Sequence, residues 1–275
     1  MPPARLTVGL KIGTVLLSVY AALALSSLSS VYDAGLTIEV GSRLLAPSAA
    51  HWFGTDALGR DVLALVAVGT RTSLGVALAA VAAGLLCGVP LGLLAAARGG
   101  LADDALARAG DLVFAFPSLL LAVLLAAAAG PGAMTAVIAI GVFNVPVFAR
   151  LVRGNALSLM QRDFVMAARV AGRSTAAIAF DHLLPNVATL IVVQATIQLS
   201  LAIVAEAGLS YVGLGVQPPD PSWGRMLNEA QTLASSAPWL ALFPGLALAL
   251  AVLALNLVGS AMATHLDPRS RAGSP

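Results

Sequence analysis

Long apolar runs separated by short polar segments dominate the sequence. A helix that crosses the ~30 Å hydrocarbon layer of a membrane needs about 20 mostly apolar residues. Six runs approach that length, at residues 12–30, 73–97, 112–129, 134–149, 187–205 and 239–263. The pattern therefore predicts an all-α polytopic membrane protein with six transmembrane helices.

The composition strengthens this prediction. Of the 275 residues, 59% are hydrophobic and only 10% are charged, whereas soluble domains carry about 25% charged residues. The net charge of +2 comes from scattered basic residues, which gives no support for nucleic-acid binding. One cysteine, Cys87, and three separated histidines offer neither a disulfide nor a metal-ligand spacing. We expect membrane lipid as a partner, no nucleic acid and no bound metal.

Basic residues indicate the side on which each connecting segment lies, because cytoplasmic segments carry an excess of Lys and Arg. With the N-terminus inside, eleven of the fifteen basic residues fall on the inner side, Arg269 and Arg271 among them. The four that fall outside are Arg43, Arg60, Arg71 and Arg225. We expect both termini in the cytoplasm and two long outward segments, 31–72 and 206–238. The first run could be a cleaved signal peptide, but its length favours a retained anchor.

Motifs for catalysis and for ATP binding are missing. The single lysine, Lys11, is followed by isoleucine, so the Gly-x-x-x-x-Gly-Lys-Ser/Thr loop that holds ATP phosphates is absent. No Ser-His-Asp order, HExxH or CxxC motif occurs either. We therefore expect neither enzymatic activity nor a cofactor in this chain.

The six runs contain no Asp, Glu, Lys, Arg or His. Ionisable residues within spans usually mark proton or ion relays, so their absence argues against a proton-driven transporter. A pore that receives its energy from a partner on the cytoplasmic face fits best. An ion-coupled secondary transporter or channel subunit is the alternative, because sodium can be bound by backbone carbonyls. A structural subunit is a further alternative.

Small and polar residues within the runs suggest how the helices meet. The second run carries three glycines four residues apart, Gly84, Gly88 and Gly92, and this spacing predicts close helix packing inside one subunit. Gln194 and Gln198 share a helix face. Together with Asn144 they could line a polar pathway, or they could form hydrogen bonds between helices.

The segment 155–186 differs from the rest of the chain because charged and small residues lie between two apolar runs. Its sequence predicts a helix from about Asn155 that ends at Gly172, since glycine readily adopts the left-handed conformation that ends helices. Ser174 is suited to cap a second short helix. Pro185 fits the first turn of the following span, where its missing N–H is not needed.

This segment also predicts a contact surface. Its small residues leave a low surface for another protein: Ala167, Ala168, Ala171 and Gly172. Arg169 and Arg173 flank them and could pair with a partner's carboxylates. A loop lying on the membrane would explain the arginines, but it would not explain the small residues.

The two outward segments also carry polar residues of interest. Asp56, Arg60 and Asp61 could form an ion-pair network in a structured lid. In the second segment, Gln217 and Trp223 could contact a binding protein or its cargo, and Trp223 also suits the membrane interface. Structural anchoring is the alternative for both segments.

The segment 155–186 resembles the EAA loop of ATP-binding-cassette importer permeases. That pattern is matched here by Ala167, Ala168, Gly172, Leu184 and Pro185, while Met166 stands where the loop has glutamate. Residues 53–75, 102–121 and 206–227 are similar to the C-type permease of the dipeptide/oligopeptide/nickel subfamily.

The resemblance implies a type I importer fold. An N-terminal helix and external segment (1–72) would precede the transmembrane domain (73–266), which contains the EAA loop, and a cytoplasmic tail (267–275) would follow. In this family the loop docks on a cytoplasmic ATPase. The implied coupling residues are Asp163, Ala167, Ala168, Arg169, Gly172, Arg173 and Pro185.

The resemblance also implies partners and a cargo. The partners are a second homologous permease subunit, two cytoplasmic ATPase subunits that hold ATP and magnesium, and an extracytoplasmic substrate-binding protein. The implied cargo is a short peptide or a nickel or other metal chelate. The implied location is the bacterial inner membrane.

Overall fold

The chain is almost entirely helical, as the apolar runs predict. The computed structural model of the chain describes residues 4–29, 32 and 35–266. Its helices are α1 (Ala4–Ser26), α2 (Val62–Arg98), α3 (Gly100–Phe114), α4 (Ser118–Ala129), α5 (Ala133–Leu159), α6 (Asp163–Val170), α7 (Leu184–Tyr211), α8 (Trp223–Ala230) and α9 (Trp239–Leu266). These described residues contain no β-strand. The predicted tail 267–275, with Arg269 and Arg271, lies outside the described residues.

Five helices in the described part are long and apolar enough to cross a membrane: α1, α2, α5, the stretch Thr175–Tyr211 that includes α7, and α9. Helices α3 and α4 together are apolar and long enough to form a sixth span, but the chain bends by 87° between them. The prediction of a single helix over 112–129 is therefore wrong. Pro117 precedes α4, and a proline supplies no N–H and disfavours helical geometry at the residue before it.

Helix α2 begins earlier than its apolar run. The Asp61 carboxylate accepts hydrogen bonds from the backbone N–H groups of Leu63 and Ala64 at 2.9 and 3.1 Å, which makes Asp61 the N-cap. The 37 residues of α2 span roughly 55 Å, well beyond the ~30 Å hydrocarbon layer. The prediction that residues 62–72 belong to an external loop is therefore wrong, because they extend the helix.

Three glycines bring α2 against α5, as their spacing predicts. A Cβ atom on Gly84 would lie 2.3 Å from Asn144 Cβ, and one on Gly88 would lie 2.4 Å from the Val145 carbonyl oxygen. A Cβ on Gly92 would lie 2.5 Å from the Ala149 oxygen. Side chains at these positions would force the helices apart, so the glycines serve packing inside this subunit.

Helix α1 packs along α9. The Tyr20 hydroxyl donates a 2.6 Å hydrogen bond to the Ala247 carbonyl oxygen. A Cβ atom on Gly13 would lie 2.9 Å from the Ala254 oxygen. The first apolar run is thus joined to the bundle by a close contact and a buried hydrogen bond.

Candidate functional site

The segment between α5 and α7 forms a short helix and two turns. Helix α5 ends at Leu159, and α6 starts at Asp163 after an extended Arg162. The prediction of one helix from Asn155 to Gly172 is therefore wrong. The change of direction at Arg162 lets Val165 become completely buried, which attaches α6 to the bundle.

The end of α6 has the turn and the cap that its sequence predicts. Gly172 has φ +77°. Its N–H donates to the Arg169 oxygen at 3.0 Å, and the Arg173 N–H donates to the Ala168 oxygen at 3.1 Å, which is the Schellman pattern of a helix end. Ser174 accepts a hydrogen bond from the Ala177 N–H. The predicted glycine turn and serine cap are both present.

The second half of the segment runs directly into a membrane helix. Thr175–Ala177 and the π-helical turn Ile178–Leu183 continue into α7, and Pro185 lies in the first turn of α7. The predicted entry of Pro185 into a span is thus present. Because Thr175–Tyr211 is continuous, the segment is joined to the membrane helix α7 without a break.

One side of α6 is unusually exposed for apolar residues. Val170 is 91% exposed and Met166 is 57% exposed, and Ala167 and Ala171 lie beside them in exposed positions. We call these four residues the exposed face of α6. Ala168, by contrast, packs against the core of the bundle, so it contributes less to this surface than its sequence suggests.

The charged residues of the segment have different surroundings. Arg173 Nη2 lies 3.2 Å from Asp181 Oδ2, and both side chains are about half exposed. Arg169 is exposed and donates one weak hydrogen bond, to the Met160 sulfur at 3.9 Å, but no carboxylate pairs with it among the described residues. Asp163 lies in the first turn of α6, where the helix dipole favours an acidic residue. Arg169 therefore remains available to a partner, whereas Arg173 is already paired within the chain.

Asn144 and Gln198 meet at a cavity between α4, α5 and α7. The cavity has a volume of about 360 Å³, and both amides line it. Gln194 shares the helix face but is not part of the lining. Two of the three predicted pathway residues thus lie together, and Gln194 lies one turn away along α7.

In the segment before α2, Asp56 and Arg60 form a partly buried ion pair. Arg60 Nε lies 2.7 Å from Asp56 Oδ2, and Arg60 Nη2 lies 3.5 Å from Glu229 on α8. Asp61 takes no part in this pair. It contacts His51 at 2.9 Å and caps α2, so the single network predicted for Asp56, Arg60 and Asp61 is wrong.

Of the two residues predicted to contact a binding protein or its cargo in the second outward segment, Trp223 differs from expectation. Trp223 is completely buried, and its indole N–H donates to the Val66 oxygen at 3.4 Å. Trp223 therefore anchors α8 to α2, and its prediction as an interfacial or partner-contacting residue is wrong. Gln217 donates to the oxygens of Gly213 and Gly215, which stabilises the turn after α7.

Glu206 is a candidate that the apolar runs do not reveal. Helix α7 continues past residue 205 to Tyr211, and Glu206 within it is completely buried. Its Oε1 accepts from Ser210 at 2.7 Å, while Oε2 has no hydrogen-bond partner. Ser73 and Ser222 also face this carboxyl group. The prediction that the spans carry no ionisable residue is therefore wrong, because α7 is longer than its apolar run.

A helical membrane bundle with an exposed two-helix segment fits a transporter subunit that receives its energy from a partner. Residues 88–272 match the family of the binding-protein-dependent transport system inner membrane component. The chain belongs to this family. It is a multi-pass permease subunit of an ATP-binding-cassette importer, and the predicted family and fold are confirmed. The alternative of an ion-coupled transporter is not favoured.

Individual relatives agree with this assignment. The dipeptide transport system permease protein DppC of Alkalihalophilus pseudofirmus is 44% identical over 230 residues, which cover 84% of this chain and 76% of that protein. The glutathione transport system permease protein GsiD of Pectobacterium atrosepticum is 43% identical over 238 residues, covering 86% and 79%. GsiD of Salmonella typhimurium is 42% identical over 238 residues, covering 86% and 78%. These relatives are permease proteins, in agreement with a non-catalytic subunit.

Proposed function

We propose that this chain forms part of the translocation pathway of an importer for short peptides. It would work with a second homologous permease subunit, two cytoplasmic ATPase subunits and an extracytoplasmic substrate-binding protein. ATP and Mg²⁺ would be held by the ATPase subunits, since this chain has no phosphate-binding loop. Both termini and the exposed face of α6 would lie in the cytoplasm, as the excess of basic residues on that side favours.

The apolar character of the exposed face of α6 is the observation that carries this proposal. Val170 is 91% exposed although a valine gains free energy by leaving water. The neighbouring alanines let another protein approach closely, and the exposed Arg169 offers a charge to an acidic partner residue. A cytoplasmic ATPase that covers this face would bury these apolar groups.

Coupling would then follow from the rigid connections of the segment. Val165 fixes α6 to the bundle, and the helix from Thr175 to Tyr211 is continuous. When the ATPases close on ATP, a movement of α6 would be passed to α7 and to the cavity that α7 lines. ATP binding would thereby shift the bundle between two conformations, because it stabilises one of them more than the other.

Peptide is the favoured cargo because two of the relatives named above transport a dipeptide and glutathione, by their names. No group of three or more His, Cys, Asp or Glu in the described residues could hold a metal ion. A nickel chelate would need no such ligands, but no observation on this chain favours it.

Val170→Asp in the assembled transporter tests this proposal. We expect loss of the co-purifying ATPase subunits and of ATP-dependent uptake of a labelled dipeptide, because a carboxylate would be placed in an apolar interface. Val40→Asp is the matched control, since Val40 is also an exposed valine but lies in the segment before α2. Retained ATPase binding and normal uptake in Val170→Asp would contradict the proposal.

A further inference from the structure

The side chain of Gln198 is buried without a hydrogen bond. It is only 5% exposed, and none of the described residues forms a hydrogen bond with its amide group. Buried polar groups in proteins are nearly always paired. Among the described residues, Glu206 Oε2 is the one fully enclosed side-chain nitrogen or oxygen atom without a partner. The Gln198 amide therefore still opens into the cavity that it lines, where an entering ligand would complete it.

Asn144 on α5 presents a second amide to the same cavity. Its Nδ2 donates to the Ile140 oxygen at 2.8 Å, which fixes the orientation of the side chain. Its Oδ1 has no donor among the described residues and remains able to accept. The cavity therefore offers a fixed acceptor on α5 and a complete amide on α7.

The rest of the lining is apolar and uncharged. Ala139 and Ala202 lie in the interior, and the exposed Leu201 and Val204 lie at the rim. A free charge would be unfavourable here, because nothing in the lining would neutralise it. The volume of about 360 Å³ lies in the range of small-molecule sites, roughly 300–1,000 Å³.

We propose that this cavity is a cargo-contact site in which Gln198 hydrogen-bonds the peptide group of the transported peptide. A peptide group offers one donor and one acceptor, and a carboxamide offers the complementary pair. The apolar walls would accept side chains without selecting among them. The site would therefore recognise the neutral backbone, and the charged ends of the cargo would lie outside it. This inference rests on the proposed peptide cargo.

Gln198→Met tests the inference in proteoliposomes that contain the assembled transporter and its binding protein. Methionine keeps the length of glutamine but removes its donor and acceptor. The two probes are alanyl-alanine and alanyl-lactate, in which an ester oxygen replaces the amide N–H. The wild-type and Gln198→Met transporters use the same binding protein. Its own preference therefore cancels when the ratio of alanyl-alanine uptake to alanyl-lactate uptake is compared between them.

We expect Gln198→Met to raise the KM for alanyl-alanine by about three- to tenfold, the value of one hydrogen bond. Its preference for the amide over the ester should fall correspondingly. Gln194→Met, one turn away, should behave as wild type.

Three results separate the possibilities. An unchanged KM and an unchanged preference in Gln198→Met would overturn the cargo-contact site and leave the proposed function standing. Loss of the second permease subunit from the complex would also overturn it, because the amide would then serve assembly. Failure of the wild-type transporter to take up alanyl-alanine with ATP would instead refute the proposed function.

Discussion

Gly84 of α2 lies directly against Asn144 of α5, so that a Cβ atom on Gly84 would lie 2.3 Å from Asn144 Cβ. The contact joins the close packing of α2 and α5 to one wall of the amide-lined cavity. The position of Asn144 therefore depends on the absence of a side chain at Gly84.

Replacement of this glycine should disturb both packing and transport. We expect Gly84→Ala to destabilise the subunit by about 1–3 kcal/mol, the usual cost of overpacking, and to lower the melting temperature of the purified complex. Peptide uptake should fall as Asn144 is displaced. Gly75→Ala on the same helix is the control, because a Cβ atom there would meet nothing within 4 Å. Equal melting temperatures for the two variants would contradict this prediction.

The buried Glu206 should be needed for its hydrogen bonds and not for its charge. No ion pair in the described chain includes it. We expect Glu206→Gln to assemble normally, since the amide oxygen can still accept from Ser210. Glu206→Ala should cost about 2–4 kcal/mol through the cavity it creates and the Ser210 hydroxyl donor that it leaves without this acceptor.

The stability of both Glu206 variants is measured by the melting temperature and by limited proteolysis of the segment between α7 and α8. Faster cleavage there in Glu206→Ala would show that the carboxyl group holds α8 through Ser222. If Glu206→Gln were as unstable as Glu206→Ala, the charge itself would be required.

The ion pair between Asp103 and Arg153 should hold α3 against α5. Both oxygens of Asp103 contact the Arg153 guanidinium, and the two side chains are only partly exposed. We expect Arg153→Met to weaken this attachment by about 1 kcal/mol and to speed amide hydrogen exchange in α3. The double variant Asp103→Arg, Arg153→Asp should restore slow exchange, and no recovery would argue against a role for the pair.

Local features of the segment after α5 could be predicted from its sequence because they depend on neighbouring residues. Gly172, Ser174 and Pro185 each act within one turn of the chain, and all three occupy the predicted positions. The break before Asp163 could not be predicted, because it depends on the burial of Val165 against distant helices.

The cavity could not be predicted from the sequence, because its position depends on tertiary packing. Asn144 and Gln198 are polar residues in separate apolar runs, and hydropathy does not reveal which helix faces meet. Glu206 was missed for a related reason. A charge ends an apolar run, but here serines from three elements face the carboxyl group and make its burial tolerable.

Trp223 illustrates the limit of residue preferences. Tryptophan favours membrane interfaces on average, yet close packing buries it here. Gly224 lies against the Ala207 backbone, where a Cβ atom would be only 2.2 Å from the carbonyl oxygen, and Gly69 leaves room beside the indole ring. Two small residues in different helices thus override the general tendency.

The hydrogen bond from Tyr20 to the Ala247 oxygen has a consequence for how the subunit is made. During synthesis α1 enters the membrane long before α9 exists, so for most of translation its tyrosine lacks this acceptor. The contact between the two helices can form only when α9 has been inserted. Completion of the bundle is therefore a late event in biogenesis, and a prematurely stopped chain would expose an unpacked first helix to membrane quality control.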